Sequence, residues 1–352
     1  MMTSTVPFIT IVMPVRNEVR FIKDTLMQLL RQEYPADRFE IIVADGMSDD
    51  GTAEVAKKIA QDHPNVKVMV NEKRLSSAGR NIGFRNGRGD IFLVIDGHCY
   101  IESTQFLKNV VSCFATSGAD CLGRPQPLDP PGLTDFQKAV ALARASSIGH
   151  SGDSLIYSTY EGYASPVSNG AAYKREVFTK VGYVDERFDA CEDMEFNYRV
   201  KQAGLRAYTS PLLTVKYYPR SSFGSLYCQM KRYGQGRFCL LSKHPDSLTV
   251  NTMVPPLFAG GLFALMTAAL SSVLLPSATA VLIVLGVLYG VYAGLIAAVS
   301  LRIALREGLH YFRYLPLIFF AIHFGLGVGF LSEMVRWNKG APCFMKRTTC
   351  TD

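Results

Sequence analysis

The first hundred residues repeat one pattern: a short β-branched run, a turn, then apolar positions at helical spacing. The runs cover residues 8–15, 40–44, 66–70 and 91–95, a length that suits buried strands. Between the first two lie Val19, Ile22, Leu26, Leu29 and Leu30, and between the next two Val55, Ile59 and Ala60. Strands alternating with helices predict an α/β fold with a mostly parallel, doubly wound, Rossmann-like sheet. Past residue 95 the pattern loosens. A Pro-rich turn spans 125–131, a helix is expected over about 134–147, and a polar loop runs over 149–165. A further helix begins at Glu192-Asp193 and ends at Gly204, where glycine can turn left-handed. A basic amphipathic stretch follows over 223–238.

After residue 246 the polar pattern stops. No Asp, Glu, Lys or Arg occurs in the 55 residues 247–301, nor in the 19 residues 314–332. A membrane helix needs about 20 apolar residues, so spans are expected near 253–275, 278–300 and 314–332, the first two separated at Pro276-Ser277. The chain then divides into a soluble domain over 1–245, a membrane region over 246–335 with two or three spans, and a basic tail over 336–352. Pro14, Arg16, Asn17 and Glu18 interrupt the first apolar run, which therefore reads as a strand and not a signal peptide. The soluble domain is expected on the cytosolic side of an inner, cytoplasmic, membrane. Arg302, Arg306 and Arg313 outweigh Glu307 between the second and third segments, as in a cytoplasmic loop. Three crossings place the C-terminus outside, whereas Arg336, Lys339, Lys346 and Arg347 favour the inside. A re-entrant or interfacial third segment is the other topology that this distribution allows.

Of the 352 residues, 48% are hydrophobic and 19% charged, which excludes a disordered, collagen-like or disulfide-scaffold chain. The net charge of +7 is spread out, without a basic face interleaved with aromatics. Nucleic acid is thus not an expected partner, and an anionic leaflet or substrate accounts for the charge. The eight cysteines lack any C-x-x-C pair. Cys99, Cys113, Cys121, Cys191, Cys228 and Cys239 are expected as reduced thiols in small apolar sites.

Ligands of open parallel sheets bind beyond the carboxyl ends of the strands, and here those ends carry chemistry. The first strand ends in Pro14-Val15-Arg16-Asn17-Glu18, the second in Asp45-Gly46, the fourth in Asp96-Gly97-His98. Asp96 and His98 form a candidate site for a divalent ion against a diphosphate, although Asp-Gly is also an ordinary turn. Asp45 is placed to accept hydrogen bonds from a base or ribose. Asp49 and Asp50 read as helix-start residues. Arg80, in the segment Ser76 to Asn81 that opens a helix, is a candidate for a phosphate or base edge; its other reading is a surface arginine. Glu192 and Asp193 are candidates for a general base, against first-turn carboxylates favoured by the helix dipole. Gln229 and Arg232 share a helix face that can offer donors to a leaving phosphate, as can basic residues snorkelling beside a membrane.

Taken together, IVMPVRNE, IIVADGMSDDGT, SSAGRNIG, FLVIDGH, SNGAAYKREVF, CEDMEFNYR and QMKRY resemble, in order, the family 2 inverting glycosyltransferases of GT-A fold over about residues 6–240. Within them the chain is similar to membrane-anchored exopolysaccharide glycosyltransferases of the succinoglycan type. The resemblance implies that Pro14, Glu18, Asp45 and Arg80 contact a nucleotide, that Asp96 and His98 lie at a metal and diphosphate, and that Asp193 is the base. Gln229 and Arg232 match the start of the QxxRW element, with Tyr233 in place of its tryptophan. The DxD element has become Asp96-Gly97-His98, a set that suits Mn2+ at least as well as Mg2+. The implied reaction moves a sugar from a nucleotide donor, UDP-hexose, to a lipid-linked or growing polysaccharide acceptor with formation of a β-linkage. Membrane lipids and other polysaccharide-assembly proteins join the expected partners. Direct transfer to polyprenyl phosphate or another lipid, and a catalytically silent membrane scaffold, are the alternatives.

Overall fold

The computed structural model describes residues 6–150, 154–272, 276–340 and 343. In chain order the elements are β1 (Ile9–Val15), α1 (Ile22–Leu30), β2 (Phe39–Asp45), α2 (Thr52–Asp62), β3 (Val66–Val70), α3 (Ser76–Asn86), β4 (Ile91–Val94), β5 (Cys99–Tyr100) and α4 (Phe106–Ser117). There follow β6 (Cys121–Gly123), α5 (Asp135–Ala145), β7 (Gly162–Ala164), α6 (Pro166–Asn169), β8 (Gly170–Lys174), α7 (Arg175–Val181), α8 (Glu192–Gln202), β9 (Ala207–Thr209) and β10 (Lys216–Tyr217). The last helices are α9 (Phe223–Lys243), α10 (Val250–Ser271), α11 (Pro276–Glu307) and α12 (Leu315–Asn338). They fall into two compact units, one drawn from Met1–Pro131 and Gly152–Tyr218, the other from Gly132–Ser151 and Pro219–Asp352.

The first unit is an eight-stranded sheet of order β3-β2-β1-β4-β8-β6-β9-β7, with β10 and β5 as a separate antiparallel pair. The four strands expected from the sequence form its parallel half. The other half is mixed: β8 runs antiparallel to both β4 and β6, and β7 antiparallel to β9. Strands β6, β7 and β9 hold three residues each, too few to show an alternation, so the sequence pattern missed them; β7 lies within the stretch read as loop. All seven residues of β1 are buried, as a central strand covered on both faces requires. Its side chains alternate: Ile9, Ile11, Met13 and Val15 join Ile22, Leu26 and Leu29 of α1, while Val12 joins Phe84 of α3 and Phe196 of α8 on the opposite face.

Helix bounds follow local signals. Thr134 caps α5, accepting from Gln137 N at 3.3 Å in a capping box. Helix α8 ends two residues before Gly204, whose φ is +68°. Helix α9 runs to Lys243, beyond the amphipathic stretch, because Phe238, Cys239 and Leu240 keep it buried.

In the second unit, Ala139, Val140 and Ala143 of α5, Leu226 and Met230 of α9, and Leu315, Ile318, Phe319 and Ile322 of α12 share one core. Helices α10, α11 and α12 are each long and apolar enough to cross a membrane, and α12 is a continuous helix. Val281, Ile283, Val284 and Leu288 of α11 are exposed, a surface that lipid covers at no cost. The chain is therefore membrane-associated. Glycines let α12 approach closely: a Cβ at Gly325 would lie 2.8 Å from Met230 Cβ, and one at Gly329 would strike the Lys231 backbone. Five of the six cysteines expected to be reduced thiols are so, but Cys228 is disulfide-bonded. The spacing of the cysteines along the sequence gives no sign of this bond.

Close approach also fixes α3 on β1, since a Cβ at Gly83 would collide with both γ carbons of Val12. Gly83→Ala is expected to cost about 1–3 kcal/mol through overpacking, read as a lower Tm in thermal unfolding. Gly224→Ala, at a position with open space around it, should leave Tm unchanged or raise it.

Candidate active site at the carboxyl edge of the sheet

The loops after β1 and β2 are laced together by side chains. Asn17, left-handed at φ +56°, a conformation asparagine tolerates, donates from N to Ser48 Oγ at 3.0 Å and from Nδ2 to Asp49 Oδ1 at 2.9 Å. Glu18 N donates to Thr52 Oγ1 at 2.7 Å, and Val19 N to Asp50 Oδ2 at 3.0 Å. Asp50 also accepts from Thr52 Oγ1 at 2.6 Å; burial works against its ionisation, but these hydrogen bonds outweigh it and hold its carboxyl below the usual range. Asp45, the last residue of β2, accepts from Ser48 Oγ at 2.6 Å. A Cβ at Gly46 would sit 3.3 Å from Arg16 Cβ, and one at Gly79 2.9 Å from Pro14 Cβ. The sequence motifs thus bring Pro14, Arg16, Asn17, Glu18 and Asp45 to one edge.

Across β1 lies the other group. Asp45 pairs in register with Val15, and Ile95 N donates to Val12 O on the far side of β1, so Asp96 follows at a similar level. Two strand spacings separate the Asp45 and Asp96 backbones by about 10 Å, a span suited to a nucleoside diphosphate. His98 Nδ1 meets Glu18 Oε1 at 2.8 Å, which ties the loop after β4 to the loop after β1. The His98 ring stands edge-on to Tyr217, 5.7 Å between centroids.

Arg80, on α3, gathers the remaining carboxylates. Its Nε lies 3.3 Å from Glu192 Oε1, both side chains nearly enclosed, and it interacts electrostatically with Asp193 and Asp96 as well. Burial alone would weaken its charge, but these carboxylates together hold the guanidinium more firmly protonated than a free arginine. The reading of Arg80 as a surface side chain is therefore wrong: its partner sits at the start of a helix 112 positions further along, which no local pattern reveals. Burial, opposed by Arg80, raises the Glu192 carboxyl above its ordinary range. Cys191 precedes the pair with φ +60°, a strained turn of the sort that aims residues at functional sites. Glu192 is buried, whereas Asp193 is half-buried and accepts from Met194 N at 2.8 Å.

Sequence reasoning missed the support beneath Asp96. Arg124, 3% exposed, donates from Nη1 to Val94 O at 2.6 Å and from Nη2 to Tyr217 Oη at 2.7 Å. Burial, with the Asp96 charge adding to it, pushes both the Cys99 thiol and the Tyr217 phenol up. A lone arginine inside the apolar run CLGRP was the available signal. Asn81 was missed too: its Nδ2 donates to Val184 O and to Glu186 Oε1, each at 2.8 Å, and so fixes α3 to the loop before α8. Gln229 and Arg232 lie in the second unit, on α9, where Gln229 Nε2 reaches Tyr233 Oη at 3.5 Å.

A parallel half-sheet extended by an antiparallel strand, with acidic residues at its carboxyl edge, is the GT-A architecture of sugar-transferring enzymes. A mannosyltransferase from Pyrobaculum calidifontis, PcManGT, solved with GDP-Man and Mn2+, superposes with a TM-score of 0.60 at 21% identity, covering 96% of this chain and 89% of that one. The model of the "Glycosyltransferase like family 2" matches residues 7–236. Succinoglycan biosynthesis protein ExoA of Rhizobium meliloti (strain 1021) is 32% identical over 262 residues, 73% of this chain and 78% of that protein. A dolichyl N-acetyl-alpha-D-glucosaminyl phosphate 3-beta-D-2,3-diacetamido-2,3-dideoxy-beta-D-glucuronosyltransferase of Methanococcus voltae is 27% identical over 341 residues, 94% of this chain and 98% of that one. The chain belongs to glycosyltransferase family 2 and is an enzyme that draws on a nucleotide-sugar donor.

Removing Arg80 should leave Glu192 as an uncompensated buried charge. Arg80→Met is expected to cost about 3–5 kcal/mol at neutral pH. Glu192 would then bind its proton more tightly folded than unfolded, so stability should fall as pH rises above the carboxylate range. Urea unfolding of Arg80→Met at pH 5 and pH 8 checks this, and the added change Glu192→Gln should abolish the difference.

Proposed function

We propose that the protein transfers a hexose from a UDP-sugar to a lipid-linked or growing polysaccharide acceptor at the cytosolic face of the membrane, with inversion to a β-linkage. The observation that carries this reading is the cluster around Arg80 of α3, which gathers Glu192 and Asp193 of α8 and Asp96 of the loop after β4. Asp193 is the general base. It is the more exposed of the acidic pair, whereas Glu192 is enclosed and engaged with Arg80. Asp193 takes the proton of an acceptor hydroxyl, the oxygen attacks the anomeric carbon, and the nucleoside diphosphate departs from the opposite face. Glu192 and Arg80 set the charge around that base by neutralising one another.

Pro14, Arg16, Asn17, Glu18 and Asp45 form the nucleotide end of the cleft. The hydrogen bonds that pin Asn17 and Asp45 to Ser48 pre-organise that end before the donor arrives. Gln229 and Arg232 are assigned to the diphosphate and acceptor on the family pattern.

Asp96 and His98 fit a divalent cation by their chemistry. A carboxylate on Nδ1 of His98 orients the ring in the manner of metal-ligand histidines. Among the described residues these two do not complete a three-ligand cluster, so diphosphate oxygens and water would supply the rest, as is usual for Mg2+ and Mn2+. When bound, Mn2+ or Mg2+ offsets charge on the departing diphosphate.

Three apolar helices give the enzyme a reason to work on lipid-borne acceptors, because anchoring raises the effective concentration of the two. The Methanococcus voltae relative, named for transfer to a dolichyl-linked sugar phosphate, supports that acceptor class, and the succinoglycan relative supports a polysaccharide product.

The test is diphosphate release by detergent-purified protein across a panel of nucleotide sugars, with and without Mn2+, against polyprenyl-diphosphate-linked saccharides. Asp193→Asn should bind donor as before while turnover falls about 10²–10⁴-fold; undiminished turnover removes Asp193 from the role. His98→Ala should raise the Mn2+ concentration needed for half-maximal rate, and an unchanged metal titration would take His98 out of the metal site.

A further inference from the structure

Besides the donor site, the second unit holds a cluster that the glycosyl-transfer reading does not use. Cys239 of α9, Glu333 of α12 and Cys343 each present a ligand atom, all within 4.8 Å of one another. All three are buried: Glu333 is fully enclosed, Cys239 is 3% exposed and Cys343 8%. Among the described residues this is the only group of three or more His, Cys, Asp or Glu ligand atoms so close together. Neither cysteine is in a disulfide.

The carboxylate supplies a second, independent observation. Glu333 Oε2 is bound by Arg336 Nη1 at 2.8 Å, but Oε1, equally buried, has no hydrogen-bond partner among the described residues. An acceptor left bare in the interior costs about 1–3 kcal/mol, more when charged, and a bound ion is one of the partners that such an atom calls for. We propose that Cys239, Glu333 and Cys343 bind a Zn2+ ion that fastens Cys343 to α9 and α12.

The donor set selects the metal. Two thiolates and one carboxylate suit zinc and are poor for Mg2+ or Ca2+, whose ligands are oxygens. Tetrahedral zinc holds its thiolates about 3.8 Å apart, from Zn–S bonds of about 2.3 Å, so side-chain rotation of an ångström or less closes the site. Binding displaces a proton from each thiol to solvent. Three negative ligands are then met by Zn2+ and Arg336, leaving the buried group neutral. Ser242 Oγ donates to Cys343 Sγ at 3.2 Å, the kind of outer hydrogen bond that steadies a ligand, and water takes the fourth position.

Full-length protein purified in detergent without chelator should carry about one zinc per chain by inductively coupled plasma mass spectrometry. Cys239→Ser and Cys343→Ser should each lower that content at least about tenfold, whereas Asp96→Ala should leave it unchanged, which separates this site from the donor metal. Cobalt(II) exchanged into the wild-type protein should show thiolate-to-metal charge-transfer absorption. In the same wild-type protein, Cys343 should resist alkylation until a chelator is added, a readout that needs no variant to fold. Zinc-free folded protein, zinc retained in Cys343→Ser, or a Cys239–Cys343 disulfide in unreduced peptides would overturn the proposal.

Discussion

One nearly enclosed cation organises the candidate site. Arg80 sits among three carboxylates from two other elements, and its contact with Glu192 draws the first turn of α8 against α3. Without that charge, Glu192 and Asp193 would repel each other in a poorly solvated pocket. With it, one acid of the pair is neutralised and the other is left for the base role proposed for it. The arrangement also explains why α3 must lie so close to the sheet. Gly79 and Gly83 leave no room for a methyl group against Pro14 and Val12, so the helix that carries Arg80 is seated at a fixed depth.

How far the sequence revealed this depends on distance along the chain. The parallel half of the sheet was legible because each of its strands is a run of β-branched residues beside a helical period. Asp45 and Asp96 were legible because strand ends in such sheets face the ligand crevice, and Asp193 because its motif stood in family order. The antiparallel half was not, since three-residue strands carry no period. Nor were Arg124 and Tyr217, which meet only after 93 residues, or the pairing of Arg80 with Glu192. In each case the chemistry is made by a contact whose two halves look ordinary apart.

The second unit repeats the lesson in an apolar setting. Its long uncharged runs announced membrane helices, but not that Gly325 and Gly329 would bring the α12 backbone against the very turn of α9 that carries Gln229 and Arg232. Small residues at a helix crossing trade side-chain burial for backbone proximity, and packing of that kind tolerates little rotation. The segment proposed to handle diphosphate and acceptor is thus held by a helix that is itself long and apolar enough to cross a membrane.

The short ladder between β10 and β5 gives the polypeptide's route out of the first unit a mechanical meaning. Lys216 and Tyr217 pair with Tyr100 and Cys99, and Tyr218 N still reaches His98 O. The strand therefore departs zipped to the loop bearing Asp96 and His98. Residues 216–218 cannot shift without disturbing backbone bonds to residues 98–100, so the closing strand of the first unit and the loop bearing Asp96 and His98 hold or loosen together.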